Sequence, residues 1–380
     1  MKVVHIITGL DQGGAENVLY RLLSESQHPS LVISLTGEGV YGPKIRELGI
    51  EVISLNLKKG LPNLIALMNF VRILRKWKPS IVQTWMYHAD LFGGLVAKFA
   101  VRAPILWGIH NSNLDAKCVS ASTRIIAKTC ALLSNTIPEK IISCSKVAAA
   151  ANQSLGYSKT KVEVIPNGVD VNTFMKNENS TKIVLPSMNP EDVVIGCFAR
   201  WNPQKDHRNL IQALNIVINH KGRNNIKCAL FGSNIDEKNT LLKNLIQEVN
   251  LCDKVLLFGP KDNVAQILQV IDINILPSAY GEAFPLILIE AMASEIPCIA
   301  TNVGDSAQII QDTGWVVPPR EPHLLADAII SAIDEFQNNR AEWKRRCHLA
   351  RKRVVENYSV DRMAESYNRI WRSVSSHYNY

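Results

Sequence analysis

Ile271-Asp272-Ile273-Asn274-Ile275-Leu276-Pro277-Ser278-Ala279-Tyr280-Gly281-Glu282-Ala283-Phe284-Pro285-Leu286-Ile287-Leu288-Ile289-Glu290-Ala291-Met292-Ala293 reads as a buried strand, a turn and a helix in that order. The apolar run Ile271 to Pro277 has the texture of a strand covered on both faces. A helix over Phe284–Ala293 follows. One carboxylate, Glu282, sits on the turn, and a second, Glu290, sits about two turns into the helix. A helix N-terminus at the carboxyl end of a strand is where open α/β sheets take anionic ligands. Two carboxylates beside such a site suit the hydroxyls of a sugar, so the stretch predicts a nucleotide-sugar ligand.

The same alternation extends in both directions. Strand patterns occur at Val3–Thr8, Leu31–Leu35, Val52–Leu55, Ile81–Trp85, Ile105–Gly108, Ile141–Ser143 and Val162–Ile165. Helical patterns lie between them, for example Ala15–Ser26, Leu61–Trp77 and His88–Phe99. The segment Asn172–Pro190 is rich in Asn, Ser, Lys and Pro and has no period, which marks a linker. A second series follows: Val193–Ala199, Ile226–Phe231, Val255–Phe258, Ile273–Leu276, Cys298–Thr301 and Trp315–Val317, with helices at Asn209–Asn219 and Asn239–Val249. After Glu321 the pattern is helical. The reading is an α/β chain of two doubly wound, Rossmann-like domains, with ligand expected in a cleft where their strand ends face each other. The first domain is placed at 1–175 together with a C-terminal helix, 361–380; the linker is 176–190; the second domain is 191–360.

Composition agrees with this. A chain of 380 residues suits two domains, and 47% hydrophobic with 20% charged residues is globular. No window is apolar for long enough to cross a bilayer. Lys2–Leu10 is read as a first strand rather than a signal peptide. Eight scattered cysteines without metal-ligand spacing suit a reduced, cytoplasmic protein. Charge is uneven. Residues 1–187 hold 21 Lys and Arg against 12 Asp and Glu, whereas residues 188–380 hold 21 against 22. The net charge of +8 therefore belongs to the first half, which predicts an anionic partner there.

Further candidates flank the strand ends. Thr8-Gly9-Leu10-Asp11-Gln12-Gly13-Gly14-Ala15-Glu16 joins a strand to a helix, and Gly13 and Gly14 allow close backbone approach, for a ligand or simply for a tight turn. Arg200 and Lys205 flank the turn after the first strand of the second series. They suit a diphosphate, or else are solvated loop charges. His110 ends a strand pattern, and is either a sugar contact or a hydrogen-bonded loop histidine. His5, inside a strand pattern, reads as a core histidine. No residue spacing calls for a metal or a resident cofactor.

Taken in order, Gly13-Gly14-Ala15-Glu16, His110-Asn111, Val164-Ile165-Pro166-Asn167-Gly168-Val169-Asp170, Arg200 through Lys205, Phe231-Gly232 and Glu282 through Glu290 resemble the family 4 retaining glycosyltransferases of the GT-B fold. Tyr358-Ser359 with Met363–Val374 resembles that family's last helix, which crosses back to the N-terminal domain. The resemblance implies that Arg200 and Lys205 hold the donor diphosphate and that Glu290 binds the ribose. It implies that Glu282, with the backbone at Ala283, Phe284, Pro285 and Leu286, holds the donor sugar and phosphate, although Pro285 has no amide to give. His110 would meet the donor sugar near its reacting face, Gly13 and Gly14 would close on the phosphates, and Gly232 and the Val255–Lys261 stretch, Lys261 included, would lie near the nucleotide. Trp201 departs from the small or apolar residue usual after the arginine. The implied reaction is transfer of a hexose or N-acetylhexosamine from a nucleotide diphosphate, UDP by family habit, with retention of configuration and without metal. A same-face displacement is implied, the leaving phosphate taking the acceptor proton.

Acceptor recognition falls to the basic first domain. Lys58 and Lys59 precede the Leu61–Trp77 helix, on which Arg72, Arg75 and Lys76 share a face. Lys117, Arg124 and Lys128 add a second basic stretch. Such helices suit anionic lipid or are ordinary solvated surfaces. The reading favoured is a cytoplasmic enzyme peripheral on the inner face of the cytoplasmic membrane, acting on a polyprenyl-diphosphate-linked saccharide in bacterial O-antigen, capsule or related glycan synthesis. Nucleic acid is excluded as a partner by the absence of any recognition motif. The alternatives are a nucleotide-sugar epimerase of the same fold and a non-catalytic nucleotide-sugar-binding scaffold on the membrane.

Overall fold

Short runs of β-branched and apolar residues are sheathed by helices on both sides, so the strands have no polar face to present to water. In the computed structural model, which describes residues 1–57, 64–114, 119–176, 185–187, 189 and 191–376, they form two parallel sheets. The chain divides into two units, Met1–Gly168 with Val360–Tyr380, and Val169–Ser359.

The first unit holds β1 (Val3–Ile7), β2 (Ser30–Ser34), β3 (Glu51–Ser54), β4 (Ile81–Trp85), β5 (Ile105–Ile109), β6 (Lys140–Ser143) and β7 (Val162–Val164) in the order β3-β2-β1-β4-β5-β6-β7. Every pairing is parallel. The chain moves one way from β1 to β3 and the other way from β4 to β7. Right-handed crossovers then place the helices of the two runs on opposite faces of the sheet. The order reverses between β1 and β4, and it is at such a reversal, outside the carboxyl ends of the strands, that this class of sheet binds ligands. The last helix, Val360–Ser375, packs on the helix Gly14–Glu25. Its buried Trp371 donates from Nε1 to Gln83 Oε1 of β4 at 3.2 Å.

The second unit holds β8 (Val193–Phe198), β9 (Ile226–Phe231), β10 (Val255–Leu257), β11 (Ile273–Leu276), β12 (Cys298–Thr301) and β13 (Trp315–Val317), ordered β10-β9-β8-β11-β12-β13 and parallel throughout. Its reversal lies between β8 and β11. Phe198, Phe231 and Phe258 stack across the ends of β8, β9 and the chain after β10, at centroid separations of 4.6 and 5.0 Å.

The division falls at Gly168, ahead of the boundary at 175 expected from composition. Val169 explains it: it bridges to Ser359, and its N–H donates to Tyr358 O, while Arg351 Nη2 donates to Val171 O. Backbone pairing thus ties this segment to the second unit, although its composition reads as linker. Of the proposed linker, residues 177–184, 188 and 190 lie outside the described residues, as do Lys58, Lys59 and Lys117. Among the described residues no helix is long and apolar enough to cross a membrane.

Candidate active site

In the second unit the strand–turn–helix within Ile271–Ala293 is β11, the turn Pro277–Pro285 and the helix Leu286–Ala293. The helix begins at Leu286, not Phe284. Proline disfavours helical backbone in the residue before it, and here Pro285 is the capping position with ψ 108°. Glu290 is therefore about one turn inside the helix rather than two, roughly 6 Å along its axis from Leu286. Gly281 takes φ 78°, a conformation that favours glycine. A Cβ on Gly304 would stand 2.4 Å from the carbonyl oxygen of Glu282, so that glycine lets a neighbouring loop close over the turn.

Glu282 and Glu290 are both buried. Glu282 Oε1 accepts from Lys205 Nζ at 2.5 Å and from Ser278 Oγ at 2.6 Å. The structure thus brings Lys205 and Glu282 together, where the sequence reading gave them separate ligand groups. An ammonium has three protons to donate, and Glu282 takes one. The loop after β8 is laced to this turn, since Ala279 N donates to Gln204 O at 2.8 Å. Arg200 stands exposed on that loop. Trp201 keeps the loop in shape: its N–H donates to Ser233 O, and its ring lies 5.4 Å from that of His207, against the unit's core.

Gly232 has a packing reason of its own. It takes φ 143°, and a Cβ there would stand 2.4 Å from Ala199 O. Lys261 is exposed in the loop beyond β10. The first N–H groups of the helix Leu286–Ala293 have no intrahelical acceptor, so they can receive an anion. A cavity of about 470 Å³ beside the loop is lined by Trp201, Asn202, His207 and Leu245 and includes none of Arg200, Lys205, Glu282 or Glu290. Charge and helix ends single out the site in this unit.

The first unit contributes a cavity of about 340 Å³ at the β1/β4 reversal, lined by Thr8, Gly14, Glu16, Tyr87, His110 and Asn111 among others. His110 is stacked on Trp85 at 5.1 Å, 20° from parallel. Burial pushes its pKa down to about 4, so the imidazole is neutral at pH 7. Its Nε2 has no hydrogen-bond partner among the described residues. The residue lines the cavity, while its Nε2 is itself shut away from solvent. The loop carrying it is fixed from behind. Tyr87 Oη donates to Asn152 Oδ1 at 2.8 Å, and Asn152 Nδ2 donates to Asn111 O at 3.1 Å.

Asp90, buried in a π-helical turn after β4, accepts from Thr84 Oγ1 and from Gly108 N. Burial raises its pKa well above the usual carboxylate range. Asp90, Tyr87 and Asn152 were not singled out from sequence, and lone residues of these types give no signal there. Glu16 could have been, as the third residue of a helix whose cap is Gly13. His5 is a core residue, as read: it is fully buried, and burial lowers its pKa to about 3.

The two glycines differ. A Cβ on Gly13 would lie 2.3 Å from Glu16 Oε2, whereas a Cβ on Gly14 meets nothing within 4 Å. Gly13 is small for the sake of its own helix. Gly14 borders the cavity and leaves room that the protein does not use. Arg72, Arg75 and Lys76 are exposed on the helix Leu64–Trp77, away from the cavity's lining. Among the described residues no cluster of His, Cys, Asp and Glu could hold a metal ion.

Residues 12–173 match the family described as Glycosyltransferase Family 4, and residues 181–348 match that described as Glycosyl transferases group 1. The chain belongs to glycosyltransferase family 4. This glycosyltransferase is 22% identical over 287 residues to the UDP-Gal:alpha-D-GlcNAc-diphosphoundecaprenol alpha-1,3-galactosyltransferase of Escherichia coli, covering 74% of this chain and 73% of that one. It is 26% identical over 334 residues to the capsular polysaccharide biosynthesis glycosyltransferase CapM of Staphylococcus aureus, covering 83% and 81%. Among solved structures, Anabaena HepE in complex with UDP is similar in fold, with a TM-score of 0.84 at 19% identity over 98% of this chain and 100% of that one. The same protein in complex with UDP-glucose gives 0.82. The fold of this glycosyltransferase is therefore GT-B, two parallel-sheet α/β domains.

Proposed function

We propose that this glycosyltransferase moves a hexose or N-acetylhexosamine from a UDP-sugar to a lipid-linked saccharide, with retention of configuration, in the synthesis of a bacterial surface glycan. The observation that carries the reading is the cluster at the β8/β11 reversal: Lys205 on Glu282, with Arg200 on the same loop and a helix N-terminus beside them. Such a cluster suits a nucleotide diphosphate. UDP and UDP-glucose in HepE, and the diphosphoundecaprenol acceptor named for the E. coli relative, support the choice of donor and acceptor.

In this reading Arg200, Lys205 and the helix amides neutralise the diphosphate, with no metal, and Glu290 holds the ribose hydroxyls. Glu282 holds Lys205 and a donor-sugar hydroxyl. Neutral His110 offers its ring to the sugar near the reacting carbon. The bond from the anomeric carbon to the acceptor oxygen forms on the face from which the phosphate oxygen departs. That phosphate oxygen takes the acceptor's proton, so no side chain need act as base or nucleophile. Work at the cytoplasmic face of a membrane is part of the same proposal.

The test is incubation of the full chain with UDP-sugars and a polyprenyl-diphosphate-linked saccharide, with the product read by NMR. An α-linked product from an α-linked donor, with UDP released only when acceptor is present, is expected. Interconversion of the donor sugar without acceptor would instead establish an epimerase. Donor binding without release of UDP across an acceptor panel would establish a scaffold.

A further inference from the structure

The helices Leu64–Trp77, Gly94–Ala100 and Ala121–Leu133 follow β3, β4 and β5, so they lie on one face of the first sheet. They are continuous. The helix Leu64–Trp77 packs on Gly94–Ala100, with Arg75 Nε donating to Ala100 O, and Ala121–Leu133 packs on the Ala89–Gly93 turn that leads into Gly94–Ala100. Two features of their outer surface are unusual together. Large apolar side chains stand in solvent: Leu64 is 70% exposed, Ile65 71%, Phe99 81%, Ile125 65% and Leu132 83%. The charges among them have one sign. Arg72, Arg75, Lys76, Lys98, Arg124 and Lys128 lie on these helices, which contain no Asp or Glu.

The opposite face is different. On Gly14–Glu25, Tyr41–Glu47 and Val360–Ser375 the acids Glu16, Glu25, Glu47, Asp361 and Glu365 nearly offset Arg21, Lys44, Arg46, Arg362, Arg369 and Arg372. The positive balance of the first half is thus concentrated on the layer that also exposes its hydrophobes. A soluble partner protein would answer apolar area or charge with a matched pattern, carboxylates included. A surface that is cationic throughout, studded with separate aliphatic and aromatic side chains, matches an anionic bilayer interface.

We infer that this three-helix layer is the face with which the protein docks on anionic lipid, Phe99 and Leu132 entering the headgroup region and the six cations meeting lipid phosphates. The inference names the surface and lipid class for the membrane reading proposed above, and rests on that reading only for its purpose. It goes beyond the basic stretches legible in the sequence by adding the helix after β4 and the exposed apolar side chains that join all three helices into one face.

The experiment is flotation of the full chain with vesicles of phosphatidylcholine alone or mixed with phosphatidylglycerol. Binding only to the mixed vesicles, weakening as salt rises, is expected. Lys98→Gln with Lys128→Gln removes two exposed charges and should weaken partition by about 25-fold at low salt. Phe99→Ser with Leu132→Ser should weaken it at both low and high salt. None of the four residues lines the His110 cavity, so transfer to a short-chain, water-soluble acceptor should match wild type in both variants. Equal binding to neutral and anionic vesicles would overturn the inference, as would variants that float like wild type. A concentration-dependent dimer abolished by the Phe99→Ser variant, with vesicle binding unchanged, would overturn it in favour of self-association. Loss of transfer in wild type with vesicle binding intact would sink the reaction proposed above and leave this face in place.

Discussion

Gly13 and Gly14 are neighbours of the same type, yet they answer to different partners. The Glu16 carboxylate folds back over Gly13 at the start of the helix. Gly13→Ala has only to push aside the far end of that flexible side chain, so it should cost no more than about 1 kcal/mol, and adding Glu16→Ala should relieve most of it. Gly14→Ala meets no protein atom and should leave thermal stability within about 0.5 kcal/mol, while kcat/KM falls at least tenfold if a ligand uses that space. Melting curves beside kinetics separate the two; equal losses of stability would refute the distinction.

A second residue-scale prediction concerns His5. Its pKa is near 3 in the folded protein and near 6.5 when unfolded, because burial disfavours the charged ring. Between those values the unfolded chain binds a proton that the folded one refuses, so stability falls as pH falls below 6.5. His5→Phe lacks this dependence. Between pH 7.5 and pH 5 the stability of wild type relative to that variant should drop by about 2 kcal/mol in urea titrations. A constant difference would show that His5 titrates normally.

At the scale of elements, the site depends on loops from distant strands meeting at a sheet reversal. Lys205 and Glu282 are 77 residues apart in sequence and 2.5 Å apart in space. Both side chains are largely buried, so removing one leaves the other charge uncompensated. Lys205→Met should cost about 3 kcal/mol. Adding Glu282→Gln should restore most of the stability without restoring UDP binding, as read by calorimetry. Recovery of both would mean that Lys205 serves only the fold.

This pair also marks the limit of what the sequence discloses. The strands were legible because each is a continuous apolar run, and Glu282, Lys205 and His110 were legible as polar residues just beyond strand ends. Their mutual contacts were not, since no local pattern records which loops a sheet order brings together. The family resemblance makes Gly232 a ligand residue, and its φ and the closeness of Ala199 O show a backbone need as well. The support behind His110 stayed hidden because Asn152 and Asp90 act through backbone groups of other elements, which leaves no periodicity to read.

At the scale of the whole molecule, the chain's last helix belongs to its first unit. Val360–Ser375 follows directly on the segment paired with Val169, yet its buried face, Met363, Tyr367 and Trp371, packs with the first unit. Met363 Sδ accepts from Gly168 N, Tyr367 stacks on Trp85, and Trp371 donates to Gln83. The first sheet therefore lacks part of its cover until residue 375 is made. Trp371→Ala leaves a large void and removes a buried donor, which should cost the first unit about 3–5 kcal/mol. The second unit's core contains no residue of that helix. UDP, bound by the second unit alone under the proposed assignment of its diphosphate, raises the stability of whatever unfolds with its site. Calorimetry of the Trp371→Ala variant with and without UDP should then show a lowered transition that UDP does not move and an unlowered one that it raises. If the variant instead lowers the UDP-sensitive transition, the last helix stabilises the donor-binding unit, and the assignment of Val360–Ser375 to the first unit's fold is wrong.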